Sequence, residues 1–185
     1  MGSCDAAADK LDASFQEAAK LGFTSGTSHA QETNPEFRRI PINYGNQPSI
    51  QTAFIFNELG KPWLTQYWSR EIVNSVYAGL SPEGGYNGDE DQGLMGANAV
   101  LMKIGLYQVD GGVSEDPVYQ IGSPIFDEIE IQLDDNYYQG DSFVLRTINN
   151  SATNKYIERI ELNGTAIQRS YIRHSEIVTG GDLTL

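Results

Sequence analysis

The hydrophobic period of this chain changes once, after Gly111-Gly112, and that change limits the fold more than any other feature. Before it, apolar residues recur at three- and four-residue spacing, as in helices with a buried face. After it they alternate, as in strands with one face against a core. Helices followed by strands predict an α+β chain, with a helical part over residues 1–112 and a β part over 113–185. The β part reads as an antiparallel, sandwich-like unit. At 185 residues the chain can build one sizeable core, or two small units that share one.

In the helical part, a first helix is expected from about Asp5 to Leu21, with Ala7, Leu11, Phe15 and Ala18 at helical spacing and Gly22 as its stop. A second opens after Asn46, a candidate N-cap, with Pro48 in its first turn and Gly60 at its end. The third, Pro62 to about Gly79, is apolar on two flanks: Leu64, Trp68, Ile72 and Val76 on one, Trp63, Tyr67 and Tyr77 on another. Such a helix needs neighbours on both sides, and without them its exposed face favours self-association through the helical half. A fourth runs from near Gln92 to Ile104, capped by Gly105 in a left-handed conformation. Strands are expected over 118–121, 128–133, 142–149, 156–163, 176–179 and 182–185, with turns at Asp134-Asp135-Asn136 and Asn163-Gly164.

Charge and composition exclude several functions. A formal net charge of −13 disfavours nucleic acid and anionic membrane surfaces as partners. No apolar run reaches the ~18 residues that mark a membrane-spanning helix. Residues 1–10 lack the basic segment and apolar core of a secretory signal, and Met1-Gly2-Ser3 reads as a cloning remnant. The single Cys4 can form neither an internal disulfide nor a cysteine zinc site. His29 and His174 are isolated, and read as hydrogen-bonded or surface residues.

Chemistry concentrates in two polar, glycine-bearing loops ahead of helices. In the first, Gly88-Asp89-Glu90-Asp91-Gln92-Gly93, three carboxylates stand side by side. An EF-hand fails here: counted from Asp89, Gly93 falls at position five, Leu94 at six and Val100 at twelve, where acid, glycine and glutamate are required. The bland alternative is a helix cap, with Asp91 at the N-terminus and Asp89 and Glu90 near the positive end of the dipole. That position favours ionised carboxylates, suited to a base or a metal ligand. In an extended loop Asp89 and Asp91 point the same way and Glu90 the other. The second loop is Tyr44-Gly45-Asn46-Gln47-Pro48-Ser49, and the two could meet at one common pocket. Trp63, Tyr67, Trp68 and Tyr86 could form a flat floor for a sugar ring, or simply pack in the core.

The order of four motifs resembles the C-terminal part of glycoside hydrolase family 92. They are Gly45-Asn46-Gln47-Pro48-Ser49, Gly60-Lys61-Pro62-Trp63-Leu64-Thr65-Gln66, Gly88 through Met95, and Ile121-Gly122-Ser123-Pro124-Ile125-Phe126, followed by Leu162-Asn163-Gly164 and Tyr171-Ile172-x-His174. The resemblance covers residues from about Lys10 to Leu185. It implies an inverting, calcium-dependent exo-α-mannosidase acting on mannose-containing glycans, with an (α/α)6 toroid and C-terminal strands packed against it. On these positions the general base falls at Asp89 or Asp91, with Asp91 also beside calcium. Asn46 and Gln47 line the mannose and metal site, Gln47 serving as a ligand, with Trp63 and Glu90 as further substrate contacts. The family often has Glu where Gln47 stands and His shortly after, where Ile50-Gln51 stand here. An inverting glycosidase also needs a general acid, with the two carboxyls about 6.5–9.5 Å apart. The resemblance places that acid before residue 1, so the expectation is a C-terminal fragment, inactive alone, of a periplasmic, secreted or cell-surface bacterial enzyme. The competing readings are a non-catalytic carbohydrate- or calcium-binding module and a purely structural β-sandwich.

Overall fold

A computed structural model of the chain describes residues 2–24, 40–81, 85, 88–89 and 91–185. Helix α1 (Cys4–Lys20) starts at Ser3, whose Oγ accepts from the amide of Ala6 at 3.2 Å. It buries Ala8, Phe15 and Ala18. Phe15 stacks on Trp68 at 5.1 Å between ring centroids and lies 5.5 Å from Phe56. The indole Nε1 of Trp68 donates to Asp12 at 2.7 Å, so this buried ring is both packed and satisfied.

The expected second helix is broken into 3₁₀ turns at Gln47–Ser49 and Thr52–Phe54 before a single turn of α2 (Ile55–Glu58). The cause is local. The Thr52 hydroxyl donates to the Ser49 carbonyl at 2.6 Å, and the Ala53 amide donates to the Tyr44 hydroxyl at 3.0 Å. These bonds draw away the pair that would have formed the α-helical link between residues 49 and 53. Helix α3 (Pro62–Ser75) is shorter than expected and is covered by the chain itself: Trp68, Ile72 and Val73 are buried, as is Val76 beyond its end. Helix α4 (Leu94–Ile104) ends at Gly105, which takes φ 78° as the left-handed cap.

The β part comprises β1 (Leu106–Tyr107), β2 (Val118–Ile121), β3 (Glu128–Gln132), β4 (Ser142–Arg146), β5 (Ile160–Leu162), β6 (Thr165–Ile167), β7 (Tyr171–Arg173) and β8 (Gly181–Thr184), with helix α5 (His174–Val178) before β8. One sheet has the order β1-β2-β7, the other β3-β4-β8-β5-β6. The hairpin β5–β6 turns at Asn163 (φ 49°) and Gly164 (φ 71°), the pair of left-handed residues that a tight two-residue turn demands.

Two expectations are corrected here. The β part is not wholly antiparallel: β4 and β8 run parallel, Phe143 opposite Gly181 and Leu145 opposite Leu183. A parallel pair needs a long crossover, and residues 147–180 supply it. The segment expected as a strand at 176–179 is instead helix α5. Asp116, distant in sequence, accepts from the Ser175 amide at 3.0 Å, and Glu176 reaches back to the Arg173 amide at 2.8 Å. Together they satisfy amides at the start of α5, which a strand would have offered to a neighbour.

Two apolar clusters follow. One joins α1, α3, the 3₁₀ segment, Met102 of α4 and Tyr107. The other joins Leu106, Ile121 and Ile172 of the first sheet to Phe143, Leu145 and Leu183 of the second. Each such side chain, fully buried, contributes about 1.5–3 kcal/mol. Arg70 of α3 ties the helical part to the strands. Its buried guanidinium donates to the carbonyls of Ser123, Pro124 and Ser151 and to Asn150 Oδ1.

Candidate functional site

The 43–46 loop is set by its own polar groups. Asn43 Oδ1 accepts from the Gly45 amide at 2.9 Å, Ser49 Oγ accepts from the Asn43 amide at 3.0 Å, and the Asn46 amide returns to the Asn43 carbonyl at 3.2 Å. Tyr44 points its fully buried ring into the core below. Its carbonyl accepts from the Tyr77 hydroxyl at 2.8 Å, and that hydroxyl accepts from Asn98 Nδ2 at 2.7 Å.

The acidic loop lies against this one. The Asp89 amide donates to the Gly45 carbonyl at 3.1 Å. A Cβ on Gly88 would overlap the backbone of Gly45, so only glycine permits the approach. Asp91, Gln92 and Gly93 all take left-handed conformations, with φ of 54°, 58° and 94°. For the two non-glycine residues this is strained backbone, of the kind that collects at ligand-holding loops.

That turn corrects the expected cap. Helix α4 begins at Leu94, not near Gln92, and its N-cap is Gly93, which has no side chain of its own to bond the helix start. The Asp91 carbonyl, not its carboxylate, receives the Leu94 amide at 3.2 Å. Among the described residues, the buried Asp91 Oδ2 has no hydrogen-bond partner. An orphaned buried carboxylate oxygen is costly and calls for a partner such as water or a cation.

Between the two loops opens a cavity of about 410 Å³ whose wall includes Tyr44, Gly45, Tyr77, Gly88, Asp89 and Met95. Of the residues singled out from the sequence, Asp89 lines it. Asn46 follows the lining residue Gly45 and is half-buried, while Gln47 is exposed at the first position of its 3₁₀ turn. Glu90 lies outside the described residues, as do Tyr86 and His29. Trp63 is not brought to the cavity. It is 49% exposed at the start of α3 beneath the Lys61 ammonium, whereas the cavity meets the chain just past the other end of α3, about 20 Å along the axis. Trp68 belongs to the core, and Tyr67 packs against it with the Lys155 ammonium 4.7 Å from its ring centroid. His174 opens α5, its ring 3.5 Å from the Tyr119 hydroxyl. Among the described residues no group of three or more His, Cys, Asp or Glu converges as a metal centre. A second cavity, of about 500 Å³, lies where Arg70 meets the 149–159 region and contains none of the expected site residues.

Sequence reasoning missed Tyr77 and Asn98. Tyr77 counted as part of an apolar flank, and nothing in the sequence singled out Asn98. The usable signal is that a buried amide or phenol must find a partner.

The sequence model of the glycosyl hydrolase family 92 catalytic domain matches residues 1–185. The chain is similar to the solved family GH92 inverting mannosidase of Bacteroides thetaiotaomicron VPI-5482, with 29% identity and a TM-score of 0.76 over 100% of this chain and 24% of that one. A GH92 alpha-mannosidase of Bacteroides thetaiotaomicron in complex with mannoimidazole aligns with 30% identity and a TM-score of 0.67, covering 76% of this chain and 17% of that one. A protein of Arthroderma benhamiae (strain ATCC MYA-4681 / CBS 112371) named as an uncharacterized secreted glycosidase is 29% identical over 143 residues, 76% of this chain and 17% of its own length. The chain thus spans about a quarter or less of each of these relatives.

Proposed function

Because the chain belongs to glycosyl hydrolase family 92, we propose that it supplies the water-activating side of an exo-acting, inverting α-mannosidase site. The observation that carries this is the bond from the Asp89 amide to the Gly45 carbonyl, which closes two polar loops around one cavity. In this reading the Asp89 carboxylate takes a proton from water as that water attacks the anomeric carbon opposite the leaving oxygen. A separate carboxylic acid protonates the leaving oxygen, and in an inverting pair it stands about 6.5–9.5 Å from the base. Asn46 and Gln47 contact the mannose hydroxyls, with Glu90 as a further substrate contact; Trp63, about 20 Å from the cavity along α3, takes no part.

Calcium fits the chemistry of Asp91, whose buried Oδ2, a hard oxygen donor, has no partner among the described residues. Asp91 and Gln47 would hold the ion, and calcium so held would orient the sugar 2- and 3-hydroxyls. In this reading the helical part is a segment of an (α/α)6 toroid and the strands are a sandwich-like unit packed on it. The alignment of the whole chain with the inverting mannosidase supports that reading. The name of the fungal relative supports secretion of the whole protein.

The 185-residue chain, supplying one side of the site, is expected to release no mannose from an aryl α-mannoside. Measurable release by the purified chain would contradict that part of the proposal.

A further inference from the structure

We propose that Tyr77 is a positioning residue for Asp89, acting through a polar strut that runs from α4 to the acidic loop. The strut has four members in line. Asn98 Nδ2 donates to the Tyr77 hydroxyl at 2.7 Å, and that hydroxyl donates to the Tyr44 carbonyl at 2.8 Å. The next peptide carries the Gly45 carbonyl, which receives the Asp89 amide at 3.1 Å.

Both ends of Tyr44 are fixed. Its hydroxyl accepts the Ala53 amide at 3.0 Å and its own amide donates to Phe23 at 2.6 Å, so pulling on its carbonyl cannot be relieved by turning the ring. Asn98 is buried in α4, just over one turn past its start, which makes it a rigid origin for the strut. Burial holds the Tyr77 hydroxyl above the ordinary tyrosine range, so it remains a donor throughout the physiological pH range. Gly45, Tyr77 and Asp89 all line the same cavity, so a shift of the 44–45 peptide moves the wall on which Asp89 sits. A misplacement of about 1 Å suffices to impair a positioned group. The consequence for a sugar ligand rests on the function proposed above; the strut itself does not.

The test is hydrogen exchange of the Asp89 amide in the 185-residue chain, resolved by NMR, together with methyl α-mannoside binding. Tyr77→Phe removes only the hydroxyl and leaves the ring in place. It is expected to speed exchange at Asp89 at least tenfold while amides in α1 and β4 keep their rates, and to weaken mannoside binding about fivefold. Asn98→Leu removes the first donor but leaves the Tyr77 hydroxyl, and is expected to give a smaller rise. An unchanged Asp89 rate in Tyr77→Phe, or an equal rise across α1 and β4, overturns the strut. Faster exchange with unaltered mannoside affinity overturns the positioning role. A wild-type chain that binds no mannoside while the exchange difference persists contradicts the proposed function and leaves the strut standing.

Discussion

The amide of Asp89 donates to the carbonyl of Gly45 at 3.1 Å, joining residues that lie on two separate loops ahead of two separate helical segments. The join is backbone to backbone, and it depends on Gly88, where no Cβ can be placed without overlapping Gly45.

Gly88→Ala should therefore force the loops apart. The atoms in the way are main-chain atoms, which cannot swing aside as a flexible side chain would. The expected loss is about 1–3 kcal/mol of stability, the usual cost of overpacking, with early loss of Asp89 amide protection. Thermal unfolding and hydrogen exchange check this, and wild-type values in both would contradict the close approach.

Arg70→Met should weaken the tie between α3 and the strands. The guanidinium serves the carbonyls of Ser123, Pro124 and Ser151 at once, and removing it takes this donor from the buried Ser123 carbonyl and leaves Pro124 with Asn150 Nδ2. A buried acceptor left unpaired costs about 1–3 kcal/mol. Relief from holding a buried cation, whose charged form desolvation already disfavours, offsets part of this. The expected net loss is roughly 2–4 kcal/mol in urea unfolding. Arg70→Lys should not restore it, because an ammonium lacks the planar fork that reaches several acceptors.

Glu176 gives the fold an acid-sensitive joint. Its carboxylate is held below the ordinary 4.5 first by its hydrogen bonds to Arg169, against a burial penalty, and further by the Arg173 amide. A carboxylate with a depressed folded pKa contributes stability above its unfolded value, and that contribution is lost as pH falls through the folded value. Urea midpoints should fall as pH drops below about 4.5. Glu176→Gln should lower the midpoint at pH 7 and flatten the acid limb. A parallel pH profile in the variant would contradict the assignment.

Much of the architecture was legible because it is local. The spacing of Leu11, Phe15 and Ala18, the glycine at 105 and the Asn163-Gly164 turn each dictate their own structure, and α1, the end of α4 and the β5–β6 hairpin follow them. What was not legible depends on distant partners. Helix α5 is started by Asp116 from far upstream, the parallel register of β8 is set by β4, and the break at 47–54 is set by the Tyr44 hydroxyl. Strands β1, β6 and β7 are two or three residues long, too short to show a period. At the site the loops announced themselves by glycine and charge, whereas the Tyr77–Asn98 pair behind them spans 21 residues and leaves no periodic trace.

Apolar exposure falls on α4 and, on α3, at Trp63 alone. Leu94 and Val100 are exposed on α4, and Leu80, just past the end of α3, is 98% exposed. Self-association through the helical half should appear in sedimentation velocity as a concentration-dependent rise in mean mass, reversed by Val100→Lys. A strictly monomeric wild-type chain across the range would contradict it.

The central claim, that these loops hold mannose with the help of an ion at Asp91, is tested most directly by calorimetric titration of the chain with mannose at saturating calcium. The account predicts binding that disappears with a chelator and in Asp91→Asn, with no turnover. Mannose binding that is indifferent to calcium and to Asp91, or no binding at all, would contradict it.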